Sequence, residues 1–178
     1  MTHPILLVTG GSRGIGAATA ILAAARGYQV VITYLANAAA AETVVQSIQD
    51  AGGKAMAVQA DVGIEADVLR LFKTIDLQLG TITALANNAG MLEKQMRLDQ
   101  MDVARWQRVL NANVIGSFLC AREAVLRMST RHGGKGGAIV NLSSAASRIG
   151  SPNEFIDYAA AKGAVDSMTL GLAKEVAT

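Results

Sequence analysis

Residues 5–16 read Ile-Leu-Leu-Val-Thr-Gly-Gly-Ser-Arg-Gly-Ile-Gly, and this stretch decides the fold. Four aliphatic residues predict a short buried strand, which runs directly into a turn with Gly10, Gly14 and Gly16 and then into an alanine-rich helical segment. Glycines permit a tight turn and a close approach of backbone N–H groups, and the positive end of a helix dipole faces that turn. The stretch therefore predicts a strand, turn and helix that bind a phosphate group. A glycine turn that only packs the helix on the strand is the alternative.

The same alternation of short aliphatic runs and longer helical patterns continues to the end of the chain. None of the runs alternates in polarity, which predicts a parallel sheet covered by helices on both faces, within one domain over residues 1–178. The segment 131–137, with His132 and four glycines, is predicted to be a surface connection. The predicted strands are Ile5–Val8, Gln29–Tyr34, Ala55–Gln59, Ile82–Ala86 and Ala138–Leu142. The predicted helices are Ile15–Arg26, Ala38–Ala51, Glu65–Leu79, Met101–Met128 and Tyr158–Val176.

The composition limits the classes of partner. Apolar residues make up 51% of the chain, enough for a buried core, and 16 basic against 14 acidic residues leave a net charge of +2. Without a sustained basic run, this balance gives no electrostatic case for nucleic acid or an anionic membrane. We expect neither as a partner.

The cysteine and histidine content favours a cytoplasmic protein without a metal. Cys120 is the only cysteine and cannot form an internal disulfide, so we expect a buried thiol in a reducing compartment. His3 and His132 are the only histidines and lack neighbours at metal-ligand spacing. Too few residues precede Gly10 for a signal peptide, and no uninterrupted apolar run reaches the roughly 18 residues of a membrane span.

The end of the second predicted strand bears on the choice of dinucleotide. An acidic side chain there would bind the ribose hydroxyls of NAD and repel a 2′-phosphate. The sequence from Thr33 to Asn37 is Thr-Tyr-Leu-Ala-Asn and contains no acid, while the guanidinium of Arg13 suits a phosphate. The sequence therefore favours NADP over NAD, and a solvated surface charge is the alternative role of Arg13.

Tyr158 and Lys162 lie four residues apart, on one face of the last predicted helix. The lysine ammonium would then lie near the phenol and favour its ionised form, which makes a tyrosine usable as an acid or base near neutral pH. Without its context, such a pair is more often an ordinary helix face.

The context comes from polar residues that follow the predicted strands. Asn88 to Gly90 follow the fourth strand, Asn113 lies in the long helix, and Ser143 and Ser144 follow the fifth strand. In this order, and with the glycine turn and the Tyr-x-x-x-Lys pair, the chain resembles the short-chain dehydrogenase/reductase family from Ile5 to its last residue. The resemblance implies a Rossmann-like, doubly wound parallel sheet of strand order 3-2-1-4-5 and an oxidoreductase that transfers a hydride between NADP(H) and a ketone or secondary alcohol.

The resemblance also implies a role for each matching residue. Tyr158 would be the general acid or base, Lys162 would bind the nicotinamide ribose, Ser144 would bind the substrate oxygen, and Asn113 would hold a water for a proton relay. Asn87 and Ser143 are expected to be structural, and a turn role is the alternative for Asp61. The residues expected around the cofactor are Gly10, Ser12, Arg13, Gly14, Ile15, Gly16, Tyr34, Asn37, Asp61, Val62, Asn88, Ala89, Gly90, Tyr158 and Lys162. The residues expected to line the substrate pocket are Met91, Ala145, Glu154 and Phe155.

Members of the family continue past the Tyr-x-x-x-Lys helix with a sixth strand, a Pro-Gly turn, a substrate loop and a seventh strand, none of which is in this sequence. We therefore expect a domain that is truncated at its C-terminal end, either as part of a longer enzyme, as a proteolysed product or as a natural short form, and a fifth strand at an exposed sheet edge. The resemblance further implies a small carbonyl or alcohol substrate and a homodimer or homotetramer. A catalytically silent nucleotide-binding or regulatory protein is the alternative function, and a purely structural oligomer component is a third possibility.

Overall fold

Five short segments form one parallel sheet in the computed structural model of the protein, which describes residues 3–177. The strands are β1 (Ile5–Val8), β2 (Gln29–Tyr34), β3 (Lys54–Gln59), β4 (Ala84–Asn87) and β5 (Ala138–Asn141). Their order is β3-β2-β1-β4-β5, and every pairing is parallel. The predicted architecture and strand order are confirmed. Residues 1, 2 and 178 of the predicted domain lie outside the described range.

Helices cover both faces of this sheet. They are α1 (Gly14–Ala25), α2 (Ala38–Asp50), α3 (Glu65–Gln78), α4 (Val103–Leu110), α5 (Gly116–Met128), α6 (Ala146–Ile149) and α7 (Ile156–Val176). Leu6 and Val8 of β1 belong to a hydrophobic cluster with residues of α1 and α2, while Leu7 belongs to a second cluster with residues of α3 and α5. All four residues of β1 are buried. Full burial of each such side chain stabilises the fold by about 1.5–3 kcal/mol, which explains why the strand does not alternate in polarity.

Cys120 lies in the cluster beneath α5 and is fully buried. Burial, with a contribution from the nearby Glu123 carboxylate, raises the pKa of its thiol to about 12. The predicted buried thiol is confirmed, and its reactive thiolate form is disfavoured at neutral pH.

The long predicted helix 101–128 is wrong at its start and in its middle. A 3-10 turn at Leu98–Gln100 comes first, and α4 begins only at Val103 because the Asp102 carboxylate caps it, accepting a hydrogen bond from the Arg105 backbone N–H at 2.7 Å. A π-helical turn, Asn111–Ile115, then separates α4 from α5. Two further short helical segments were not predicted, α6 and a 3-10 turn at Thr130–His132 inside the predicted surface connection.

The combined helix Val103–Met128 is long and apolar enough to cross a membrane by length and composition alone, with a mean hydropathy of 1.3 over its most apolar 18 residues. Nearly half of that window, 44%, is buried against the rest of the protein. Packing in the core accounts for its composition, so the helix is weak evidence for a membrane span.

Strand β5 forms one edge of the sheet and pairs only with β4 among residues 3–177. Val140 in this strand is 59% exposed, as expected for a strand without a second neighbour. Because all five strands are parallel, their carboxyl ends all lie on the same side of the sheet, called the carboxyl edge below. The predicted site residues follow β1, β4 and β5 at this carboxyl edge.

Candidate active site

The glycine turn after β1 is seated on the end of β2. The backbone N–H of Gly10 donates to the hydroxyl of Thr33 at 2.9 Å, and that of Gly11 donates to the Thr33 carbonyl at 2.9 Å. A Cβ atom at Gly11 would lie 2.5 Å from a side-chain carbon of Ile32. Position 11 therefore requires glycine because the turn packs closely on Ile32. Position 10 favours glycine for a second reason, a positive φ of 65°.

Asn88, after β4, holds the same turn from the other side. Its side-chain amide donates to the carbonyls of Thr9 and Gly10 at 2.9 and 3.0 Å. The Thr9 hydroxyl in turn accepts hydrogen bonds from the backbone N–H groups of Asn88 and Ala89, both at 3.0 Å. A Cβ at Gly16 would lie 2.5 Å from both the Asn88 amide nitrogen and the Gly10 carbonyl oxygen. The ends of β1 and β4 and the start of α1 are thus locked into one unit.

The start of α1 fits a dinucleotide phosphate. The helix begins at Gly14 without a side-chain cap from Arg13, so its first N–H groups and the positive end of its dipole face the turn. Gly14 has a positive φ of 56°, and within residues 3–177 no atom beyond its chain neighbours and its own helix backbone lies within 4 Å of the place its Cβ would occupy. Arg13 and Ile15 are exposed beside it, and Ser12 is partly buried. A bound phosphate would meet backbone N–H groups here and no side-chain wall.

The residues expected near the adenosine end are exposed or occupied by local contacts. Tyr34 is partly buried against the cluster beneath α1 and α2, and Asn37 caps α2 by accepting a hydrogen bond from the Ala40 N–H at 2.9 Å. The Asp61 carboxylate accepts from the Gly63 N–H at 2.9 Å, a turn contact of the kind expected as its alternative role. Val62 is buried in the core.

Lys162 and Tyr158 lie on α7, as their spacing predicted. The Lys162 ammonium is 5.6 Å from the centre of the Tyr158 ring and donates to the Leu142 carbonyl, directly after β5, at 2.7 Å. Only 5% of Lys162 is exposed, and this burial lowers the pKa of its ammonium, with a smaller opposing contribution from Asp166. The pair is therefore fixed against the carboxyl end of β5.

Ser143 and Ser144, directly after β5, make separate contacts. The Ser144 hydroxyl oxygen accepts a hydrogen bond from the Ala146 N–H at 3.1 Å, at the first residue of α6. Ser143 instead donates to the Lys162 carbonyl at 3.4 Å. Because Ser144 accepts in this contact, its hydroxyl hydrogen is left to donate elsewhere.

Asn113 lies fully buried in the π-helical turn. Its side-chain amide donates to the carbonyls of Met91 and Val109, both at 2.9 Å, and its oxygen accepts from the Met91 N–H at 3.3 Å. Val109 lies four residues before Asn113, so its carbonyl is the one that a regular α-helix would pair with the Asn113 backbone N–H. The Asn113 side chain inserts into this ladder of backbone hydrogen bonds, which accounts for the π-helical turn.

Gly90 brings Asn113 and Lys162 together. A Cβ at Gly90 would lie 2.6 Å from the Asn113 side-chain oxygen and 3.7 Å from the Lys162 nitrogen. Any side chain here would push between the two groups. The structure therefore places Asn113, Gly90 and the Tyr158/Lys162 pair at one site beyond the ends of β4 and β5.

Asn87 has a structural role, as expected. It is buried, and its amide donates to the Ser117 carbonyl at 3.0 Å and to the Asn141 side chain on β5 at 2.9 Å. These contacts tie β4 to α5 and β5 and hold the two strand ends that carry the site.

Hydrogen bonds join the segment after β4 to the segment before α7. The Met96 N–H donates to the Glu154 carbonyl at 3.0 Å, and Gln95 donates to the Glu154 carboxylate at 3.1 Å. Glu154 and Phe155 thus belong to a segment joined to the one that follows β4. Two cavities, of about 350 and 240 Å³, lie elsewhere, between the ends of α5 and α7, and no predicted site residue lines them.

One buried ion pair beside this site could not be predicted from the sequence. Arg105 on α4 and Asp157 at the start of α7 lie 2.7 Å apart, with side chains 5% and 3% exposed. The two residues are 52 positions apart, and neither belongs to a motif, so only the fold brings them together.

Comparison with known proteins agrees with this geometry. Residues 4–178 match a family model described as short chain dehydrogenase. The chain is 54% identical over 173 residues to an uncharacterized oxidoreductase, YgfF, of Escherichia coli strain K12, a match that covers 97% of this chain and 70% of that protein. It is 40% identical over 178 residues to a 3-oxoacyl-[acyl-carrier-protein] reductase of Synechocystis, which covers 100% of this chain and 70% of that protein.

A solved structure shares the fold as well. A short-chain dehydrogenase/reductase from Serratia marcescens superposes with a TM-score of 0.89 at 31% identity, over 98% of this chain and 69% of the other.

Proposed function

The chain belongs to the short-chain dehydrogenase family, and we propose that it is an NADP(H)-dependent oxidoreductase that interconverts a ketone and a secondary alcohol with Tyr158 as the general acid and base. One observation carries the proposal. The Lys162 ammonium lies beside the Tyr158 ring and against Gly90, at the sheet edge that also carries the glycine turn. Ligands of open α/β sheets bind at this edge.

Tyr158 moves the proton in the proposed reaction. In reduction its phenol protonates the carbonyl oxygen of the substrate, and in oxidation its phenolate removes the proton of the alcohol. A nicotinamide cofactor, when bound, would supply or accept the hydride. Lys162, held by the Leu142 carbonyl, stabilises negative charge on the phenol electrostatically and binds the nicotinamide ribose.

Ser144 orients the substrate oxygen. Its hydroxyl accepts from the Ala146 N–H, which fixes the oxygen and leaves the hydrogen to donate to the substrate. Both donors of the Asn113 amide bind backbone carbonyls. The proposed water would therefore be held by the Asn113 oxygen, which lies 2.6 Å from the place that a Cβ at Gly90 would occupy.

The family uses nicotinamide cofactors, and NADP is the member that we propose here. The end of β2 offers no carboxylate to bind ribose hydroxyls, and Arg13 is exposed beside the turn, where it could pair with a 2′-phosphate. The proposed cofactor site also includes Ser12, Ile15, Tyr34, Asn37, Asp61, Val62, Asn88 and Ala89.

The remaining features of the proposal follow from the relatives and the composition. The substrate is a small carbonyl or alcohol compound, the protein forms a homodimer or homotetramer, and it acts in the cytoplasm as one domain. A catalytically silent nucleotide-binding protein is not favoured, because residues 4–178 match a family model described as short chain dehydrogenase.

A screen of carbonyl and alcohol compounds with NADPH, NADH and their oxidised forms tests the proposal through the absorbance of the nicotinamide. Reduction of at least one ketone with NADPH as the better donor is expected. Cofactor binding without turnover of any compound would instead support a silent nucleotide-binding protein.

A further inference from the structure

The buried pair of Arg105 and Asp157 joins the start of the helix that carries Tyr158 to α4. The Arg105 guanidinium donates to both Asp157 oxygens, at 2.7 and 3.3 Å, in a forked contact. Such forked pairs fix the angle between two groups as well as their distance. The first turn of α7 is therefore held in both position and orientation.

The Arg105 guanidinium also contacts the segment after β4. Its remaining terminal nitrogen donates to the Lys94 carbonyl at 2.6 Å. Lys94 lies three residues after Met91, whose backbone binds Asn113. One guanidinium thus connects α4, α7 and the segment after β4.

Asp157 acts on the residue next to it. One of its oxygens accepts a hydrogen bond from the Tyr158 backbone N–H at 2.9 Å, the usual place for a carboxylate at a helix start. Burial raises the pKa of Asp157, but the hydrogen bonds from Arg105 and from the Tyr158 N–H outweigh it, and the pKa lies below its ordinary value. The carboxylate stays ionised and paired at neutral pH.

A buried ion pair is a poor source of stability, because desolvation of both charges offsets much of their attraction. Its best-supported use is to select one geometry among alternatives. Here the ion pair would select one position and orientation of α7 relative to the site. The neighbouring segment before α7 also needs such support, since Ser151 and Asn153 have positive φ angles of 42° and 63°.

We propose that Arg105 is a positioning residue which, through Asp157 and the Lys94 carbonyl, fixes the Tyr158 phenol relative to the segment that follows β4. This inference rests on the proposed function, in which Tyr158 transfers the proton. A displacement of about 1 Å at a reacting group can cost on the order of 100-fold in rate, so loss of the contact should appear in catalysis.

The test compares Arg105→Met with a matched control on the same helix. Arg108 donates to the Glu93 carboxylate at 2.9 Å, which also joins α4 to the segment after β4, but its side chain is 54% exposed. Arg108→Met therefore removes an arginine and an ion pair that joins α4 to the segment after β4, whereas the ion pair of Arg105 joins α4 to α7.

We expect Arg105→Met to lower kcat by about 10- to 100-fold, while the Kd for NADPH, measured by fluorescence, stays within about twofold of the parent protein. Arg108→Met should leave both quantities within about twofold. Arg105 and Asp157 act through one contact, so their effects on kcat should not be independent. The fold-loss of kcat in the double variant Arg105→Met/Asp157→Asn should therefore be clearly smaller than the product of the fold-losses in the two single variants.

Amide hydrogen exchange provides a readout that needs no substrate. In Arg105→Met, the peptide covering 156–162 should exchange faster than in the parent protein and in Arg108→Met. Should Arg105→Met fail to fold, Asp157→Asn and Arg105→Lys replace it, because asparagine keeps the shape and lysine keeps the charge but not the fork.

The two proposals fail separately. A parent protein that reduces no carbonyl compound contradicts the proposed function, while exchange at 156–162 still decides whether Arg105 positions α7. An active parent protein, with kcat and exchange in Arg105→Met equal to those in Arg108→Met, overturns the positioning role alone.

Discussion

The Lys162 ammonium lies 5.6 Å from the centre of the Tyr158 ring and donates to the Leu142 carbonyl at 2.7 Å. This contact joins the first two turns of α7 to the end of β5. A spacing of four residues places the two side chains on one helix face, but it is the contact with Leu142 that places that face at the carboxyl edge of the sheet. The proposed chemistry depends on this placement.

Burial of Lys162 predicts a pH-dependent stability. Its folded-state pKa lies below the ordinary value of 10.5, so between these two values the unfolded chain binds more protons and stability rises with pH. The Lys162→Met variant has no ammonium at this position and should lack this increase of stability with pH. The stability of the variant minus that of the parent protein should therefore fall as pH increases through that window to 10.5, which urea denaturation at several pH values would measure.

The control for this prediction is Lys174→Met, which removes an exposed lysine from the same helix. An equal trend in both variants would contradict the assignment to burial.

Gly16→Ala should destabilise the protein, because the added methyl group would lie 2.5 Å from both the Asn88 amide and the Gly10 carbonyl. Overpacking of this kind costs about 1–3 kcal/mol, and it should also weaken binding of NADPH. Gly171→Ala is the matched control, since Gly171 is exposed on α7 and, within residues 3–177, its Cβ would meet no atom within 4 Å beyond its own helix backbone and chain neighbours. Alanine there should stabilise the helix by about 0.5–1 kcal/mol. Equal free energies of unfolding for the two variants would refute the packing argument.

Arg13→Ala should weaken binding of NADPH by about tenfold or more and leave that of NADH nearly unchanged, because a guanidinium that pairs with phosphate typically contributes about 1.5–3 kcal/mol. Calorimetric titration of both cofactors gives the two dissociation constants. Arg26→Ala removes an exposed arginine from the other end of α1 and corrects for the change in net charge. An unchanged ratio of the two constants in Arg13→Ala would sink the proposed role.

The strands of the sheet could be predicted from the sequence because each is encoded by a short, local run of residues. The aliphatic runs of β1 and β2 have the predicted boundaries, and burial on both faces explains why neither alternates in polarity. The strand order came from resemblance to a family and is confirmed.

The helical irregularities could not be predicted because each depends on a specific side-chain contact. Asp102 is one of many polar residues that could begin a helix, and only its contact with the Arg105 N–H shows that it does. The π-helical turn requires the Asn113 side chain to bind the Val109 carbonyl, a choice that its neighbours in space make.

The candidate site shows the same division. Sequence motifs identified Tyr158, Lys162 and Ser144, and the structure brings their elements to one sheet edge, while their roles stay predictions. Arg105 and Asp157 were missed because residues 52 positions apart leave no periodic signal.

The substitution of Tyr158 by Phe tests the central claim most directly, since it removes one oxygen and keeps the ring beside Lys162. With a ketone that the parent protein reduces, kcat should fall by about 10²–10⁴-fold while the Kd for NADPH stays within about twofold. Turnover by the Tyr158→Phe variant at the rate of the parent protein, with NADPH bound equally well, would contradict the account.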